Sequence, residues 1–133
     1  MKLNVKNETG RLKSVVLGQP KSIGPIPTLE ESYDAKSYHS IEHNIYPKEE
    51  DIISEVSAFE AVLKKYDVEV LRPAIIKDYN QVFARDVAFV IEDKMIISNV
   101  IKDREDEQEA YRKIFEKVEW RKIINLPETA HIE

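Results

Sequence analysis

An arginine and an aspartate stand side by side, Arg85-Asp86, in a run from Val82 to Ile91 that is otherwise apolar. Neighbouring residues of an extended chain point to opposite faces, so the two charges are not simply paired with each other. At least one of them then faces an enclosed space, where an unpaired charge costs roughly several kcal/mol. A partner must be supplied, either a charged ligand or a distant residue in a buried ion pair. A second charged cluster, Asp103 to Glu107, contains Arg104. In the first turn of a helix a cation is disfavoured by about half a kcal/mol, and the acidic neighbours offset this. On the residues alone this is a solvated helix start. The same placement also suits an arginine reaching a carboxylate in bidentate geometry.

Other chemistries find little support. With no cysteine, these residues hold no disulfide, no thiolate metal ligand and no cysteine nucleophile. His39 and His43 have the i, i+4 spacing of a helical metal pair but lie in a Pro-rich stretch without a fixed third ligand. They are expected to be surface residues. No Ser-His-Asp arrangement follows from the spacing. Three glycines do not make a phosphate-cradling loop, which removes P-loop and dinucleotide-binding readings.

The elements that must position Arg85-Asp86 are of mixed type. Leu12 to Leu17 reads as a strand closed by Gly18, and Gln19 to Pro47 as a long loop rich in proline. That loop is either a surface excursion with a short helix in it or a substrate lid. After Pro47, acidic residues at 49–51 begin a helix with an apolar stripe of Ile52, Val56, Phe59, Leu63 and Tyr66. Val68 to Leu71 is a strand. Val87 to Ile91 and Lys94 to Ser98 flank Glu92-Asp93 as a hairpin. Asp103 is placed to cap a helix with the stripe Tyr111, Ile114, Phe115 and Val118, and Lys122 to Leu126 is a closing strand. Two successive units, each mixing strands with one helix, make the fold class α/β.

The 133 residues suffice for one domain, and 42% hydrophobic with 34% charged residues is a globular composition. A net charge of -5 argues against nucleic-acid or anionic-membrane partners and mildly favours a small cationic substrate. The polar N-terminus lacks a signal-like apolar region, and no run approaches a membrane span. The default expectation is a cytoplasmic protein. The end, Ala130-His131-Ile132-Glu133, follows strand and turn directly, and is expected to be either a cut inside a larger domain or a natural end in a frayed terminus.

Asn80-x-x-Phe83-x-Arg85-Asp86, then the hairpin, Arg104-x-x-Glu107 and His131-Ile132-Glu133, resembles the guanidine-modifying enzymes of the pentein superfamily. These include arginine deiminases, dimethylarginine dimethylaminohydrolases and glycine amidinotransferases. The resemblance runs in order along essentially the whole chain. It implies a pentein-type α/β propeller of ββαβ modules, with about two of five blades present. Residues 1–133 would be the N-terminal part of a single catalytic domain, ending before its nucleophile. It also implies that Asp86 and Glu133 are the two carboxylates gripping a substrate guanidinium. Asn80 and Arg104 would contact the amino-acid end of the substrate, and Arg85 would orient the segment.

The implied activity is that of a hydrolase or amidinotransferase acting on arginine or a derivative. It would run through a thiouronium-type intermediate on a cysteine outside this chain. In the family the acid-base histidine lies in a His-x-Asp motif, which His131 does not match, so these residues alone are expected to be inactive. The partner expected is a small guanidino molecule, with neither metal nor cofactor. The superfamily also holds a ribosome anti-association factor without catalytic residues, so the alternative is a non-catalytic binding or assembly module. Two blades of a closed propeller would leave strand edges exposed, which predicts self-association or a homo-oligomer.

Overall fold

In the computed structural model, which describes residues 1–32, 34–100 and 102–130, the chain alternates short strands with helices. Strand β1, Ser14–Val16, pairs in parallel with β2, Glu69–Leu71, in register Val15 to Val70. Between them run α1, Ala35–Glu42, and α2, Glu49–Lys65. The β-branched residues of 14–16 suit a strand, and Leu12 remains exposed outside it.

Helix α2 begins with Glu49, Glu50 and Asp51 and ends with Lys64 and Lys65, charges that complement its dipole at both ends. Its inward stripe is Ile52, Val56, Glu60 and Leu63, and only Leu63 is fully buried. Phe59 and Tyr66, expected on that stripe, are exposed. The inward position between Val56 and Leu63 is taken by Glu60, which pairs with Arg72 just beyond β2.

The second unit holds the site. A short helix α3, Ala84–Val87, leads into β3, Ala88–Ile91, which pairs antiparallel with β4, Lys94–Ile97. Glu92, at φ 52°, turns this hairpin. The chain then passes a 3-10 turn at Lys102–Arg104, helix α4 at Asp106–Ala110, helix α5 at Arg112–Phe115, and a 3-10 turn at Trp120–Lys122. Strand β5, Ile123–Asn125, returns parallel to β4, completing a ββαβ unit with strand order β3-β4-β5.

Two expectations are corrected here. Arg85 and Asp86 lie in the helical turn α3, not in an extended strand. The single helix expected after Asp103 is divided: the 3-10 turn covers Asp103, and α4 starts beyond Glu105, which makes no side-chain cap. The expected stripe nevertheless packs inward, with Tyr111, Ile114 and Val118 buried and Phe115 partly so.

Tyr111 and Ile114 pack with Val87 and Ala110, and Val16 of β1 and Leu71 of β2 lean on that cluster. Leu3, Met95 and Val118 form a second cluster, which ties the N-terminal segment to the ββαβ unit. The five strands form two separate sheets, and no closed sheet exists among the described residues. No described helix is long and apolar enough to cross a membrane.

Candidate active site

The segment carrying Asp86 is anchored before it reaches the aspartate. Gln81 is fully buried, and its side chain accepts from Ile76 N at 2.8 Å while donating to the Ala74 carbonyl at 3.0 Å. The Gln19 amide donates to the Gln81 carbonyl at 2.9 Å, which fastens the segment to the end of β1. Gly18 is required there. A Cβ at that position would fall inside contact distance of the Val82 and Gln81 carbonyl oxygens. The Ser98 hydroxyl at the end of β4 donates to the carbonyls of Asp86 and Val87, and Gln108 of α4 donates to the Ser98 carbonyl at 2.7 Å. Both ends of α3 are therefore held by buried hydrogen bonds, which set the direction of the Asp86 side chain.

Asp86 meets Arg104. The Arg104 Nη1 donates to Asp86 Oδ2 at 2.7 Å, while Nε and Nη2 donate to the two carboxylate oxygens of Glu107 at 2.7 and 2.9 Å. The Glu107 contact is a fork-to-fork pair, the strongest geometry available to arginine. Side-chain exposure falls from 41% at Asp86 through 19% at Arg104 to 0% at Glu107. Glu107 first, and then Asp86 against the opposing effect of burial, holds the guanidinium charged with its pKa raised. Tyr111 packs beside this group, and its hydroxyl has no hydrogen-bond partner among the described residues. Burial, followed by the Glu107 charge, pushes its pKa up.

Asn80 occupies a different position. Its side chain accepts from Val82 N at 3.2 Å, and it lines a cleft of about 370 Å³ bounded by Ile23 to Ile26 and Tyr46 to Glu50. The 19–47 stretch forms most of that cleft and contains α1, capped by Asp34, whose carboxylate accepts from Lys36 N and Ser37 N. His39 and His43 are exposed and stacked on each other at 4.0 Å. No group of metal-ligating side chains occurs among the described residues.

No protein-family model matches the chain, and no curated protein does. Several solved structures resemble it, among them two amidinotransferases. One is SxtG, an amidinotransferase of the saxitoxin biosynthetic pathway from Microseira wollei, at 21% identity and a TM-score of 0.67. The other is the inosamine-phosphate amidinotransferase from Streptomyces griseus, at 15% identity and a TM-score of 0.63. The chain folds like part of these two amidinotransferases. The likeness covers 94% and 96% of this chain but only 42% and 44% of those chains, so it spans less than half their length.

Within this amidinotransferase-like frame, Asp86 and Arg104 come together, Asn80 faces a separate cleft, and Glu133 and His131 lie outside the described residues. Arg85 is exposed and forms no ion pair with the described residues. Gln81 and Ser98 fix the segment instead. Neither was singled out from the sequence, nor were Glu107's burial, Tyr111's place beside the ion pair, or Asn99. The Asn99 amide donates to the carbonyls of Leu126, Pro127 and Ala130. Consecutive residues at the end of β4 thus hold the Asp86 segment and the 126–130 segment.

Proposed function

We propose that this chain supplies the guanidinium-gripping side of a guanidino-group-modifying active site, with Asp86 as the gripping carboxylate. The observation that carries this is the state of Asp86 in an amidinotransferase-like fold. One oxygen is engaged by Arg104, the other has no hydrogen-bond partner among the described residues, and the side chain is partly open to solvent. A planar guanidinium matches such an acceptor by paired, charge-assisted hydrogen bonds. Glu133 is assigned as the second carboxylate and Asn80 as a contact to the substrate tail. Ser98 and Asn99 support the first assignment, since both segments leading to the two carboxylates are tied to one end of β4. Each Arg104 nitrogen already donates to a protein carboxylate, so its first role is to hold Asp86.

The reaction assigned to the assembled site is transfer or hydrolysis of an amidino group from arginine or a derivative. A thiolate from outside these residues would attack the guanidinium carbon, and the amine would leave with a proton from an acid-base group. The resulting thiouronium would pass its amidino group to an acceptor amine, or be hydrolysed by water. A binding or assembly module is the second reading, favoured by the edge of β5, free among the described residues, and by Trp120, 76% exposed.

Titration of the chain with arginine, agmatine and methylguanidine, followed by NMR, separates the two. The expected result is saturable binding in the millimolar range, about -4 kcal/mol, lost in Asp86→Asn, with no ureido product released. Equal binding by wild type and Asp86→Asn, or none by either, sinks the guanidinium reading.

A further inference from the structure

The ion-paired group at Asp86 has an uneven charge. Two carboxylates, Asp86 and Glu107, share one guanidinium, Arg104, which leaves one net negative charge. Where that charge resides follows from the geometry. Glu107 receives both a Nε and a Nη2 bond and is fully buried, so its charge is matched in place by the arginine fork. Asp86 receives a single bond and is the exposed member of the three. The uncompensated charge is therefore presented at Asp86, toward solvent. A buried glutamate is costly unless paired, and two well-formed bonds to arginine are what hold it there.

Without the Glu107 charge, the only carboxylate left to Arg104 among the described residues is Asp86. The arginine would then turn its fork to Asp86 and neutralise it. We infer that Glu107 is a positioning residue for cation recognition: by holding Arg104 bidentately, it keeps an Asp86 oxygen and one negative charge available to an incoming guanidinium. This rests on the guanidinium reading of Asp86 and extends it to a residue that never touches the ligand. Tyr111, buried and with a hydroxyl that has no partner among the described residues, lies within the electrostatic reach of the group.

The test uses three proteins, methylguanidine as the probe, and the Arg104 Nε–H resonance as an internal reporter. Glu107→Gln keeps the side-chain shape but removes the charge, and is expected to weaken methylguanidine binding roughly ten-fold, the scale of one partly screened charge pair. Its Arg104 Nε–H signal should shift and exchange faster with water. The double variant Arg104→Met with Glu107→Gln removes both buried charges and again leaves Asp86 uncompensated. Its binding should return to within about three-fold of wild type, a recovery of most of that charge-pair energy.

A Glu107→Gln protein that binds like wild type with an unmoved Arg104 signal overturns the inference. So does a double variant that stays as weak as the single one, because the loss would then be general damage. If the wild-type chain takes up no methylguanidine, the guanidinium reading fails. In that case the inference falls with it, and the Arg104 signal in Glu107→Gln reports only whether Glu107 holds the arginine.

Discussion

Tyr111 lies 2% exposed beside Arg104 and Glu107, and its hydroxyl makes no hydrogen bond with the described residues. Leaving a buried hydroxyl unpaired costs about 1–3 kcal/mol, so Tyr111→Phe is expected to stabilise the fold by about 1 kcal/mol at neutral pH, read by urea melting. The pH dependence has a definite sign. Burial raises the pKa of Tyr111 in the folded state, so the unfolded chain loses its proton first as pH rises above the ordinary tyrosine value of 10.0. The unfolded state then binds fewer protons, and stability falls with pH from that point. Tyr111→Phe should remove this share of the alkaline loss, widening its advantage over wild type above pH about 10. A variant that is less stable at neutral pH shows that the hydroxyl has a partner. At this scale the sequence exposed only part of the site. Asp86 stood out because a charge amid Val, Ala and Phe needs a partner. Glu107 stood out only within the Arg104-x-x-Glu107 motif, because by composition the acidic run 103–109 is that of a solvated helix start. Gln81, Ser98 and Tyr111 matter through burial and through long-range partners, which no local pattern declares.

Elements were legible where a strong local signal agreed with packing. The β3–β4 hairpin follows from two apolar runs about Glu92-Asp93, and α2 from its acidic start and basic end. Boundaries moved where tertiary contacts took over. α3 replaces the expected extended stretch as Ser98 draws in the carbonyls of Asp86 and Val87. The face of α2 turned toward Glu60 because Arg72 reaches it from the end of β2. Arg72 donates to the Glu60 carboxylate and to the Gly18 carbonyl, and so ties α2 to the ends of both β1 and β2. Arg72→Met should cost about 2 kcal/mol, since a charge-assisted bond is lost and a carbonyl left unpaired. Arg72, and then Lys64, holds the Glu60 carboxyl below its ordinary value. Its stabilising share is therefore complete above pH 4.5 and lost as pH falls through the lowered value. Urea melts should show the gap between wild type and Arg72→Met narrowing as the pH is taken well below 4.5. A gap that is constant with pH would mean that Glu60 does not carry the effect.

At the scale of the molecule, the ββαβ order and the amidinotransferase-like fold agree with the resemblance in the motifs, while the strands divide between two small sheets. Closure cannot be read from a chain that spans 42% of its structural neighbour, because it depends on how successive units meet. The outer strand β5 has a free edge among the described residues, with Ile124 exposed upon it and Trp120 just before it. An open groove of about 720 Å³ beside β5, lined partly by Phe115, Trp120 and Ile123, adds apolar surface. An unpaired, apolar strand edge is a template for another strand, and β5, though only three residues long, carries no lysine to blunt it. The chain is therefore expected to self-associate through β5, with sedimentation velocity showing a concentration-dependent rise in mass from the micromolar range upward. Opposing this is the net charge of -5, a mutual repulsion that salt screens. Association driven by the apolar edge should thus strengthen as ionic strength rises, whereas association through ion pairs would weaken. Ile124→Lys, which places a charge on the edge itself, should return the protein to monomer while leaving its melting curve nearly unchanged. A wild-type chain that stays monomeric at every concentration and salt level would mean that β5 is protected by its twist or its neighbours. Retention of the oligomer by Ile124→Lys would move the contact to another face.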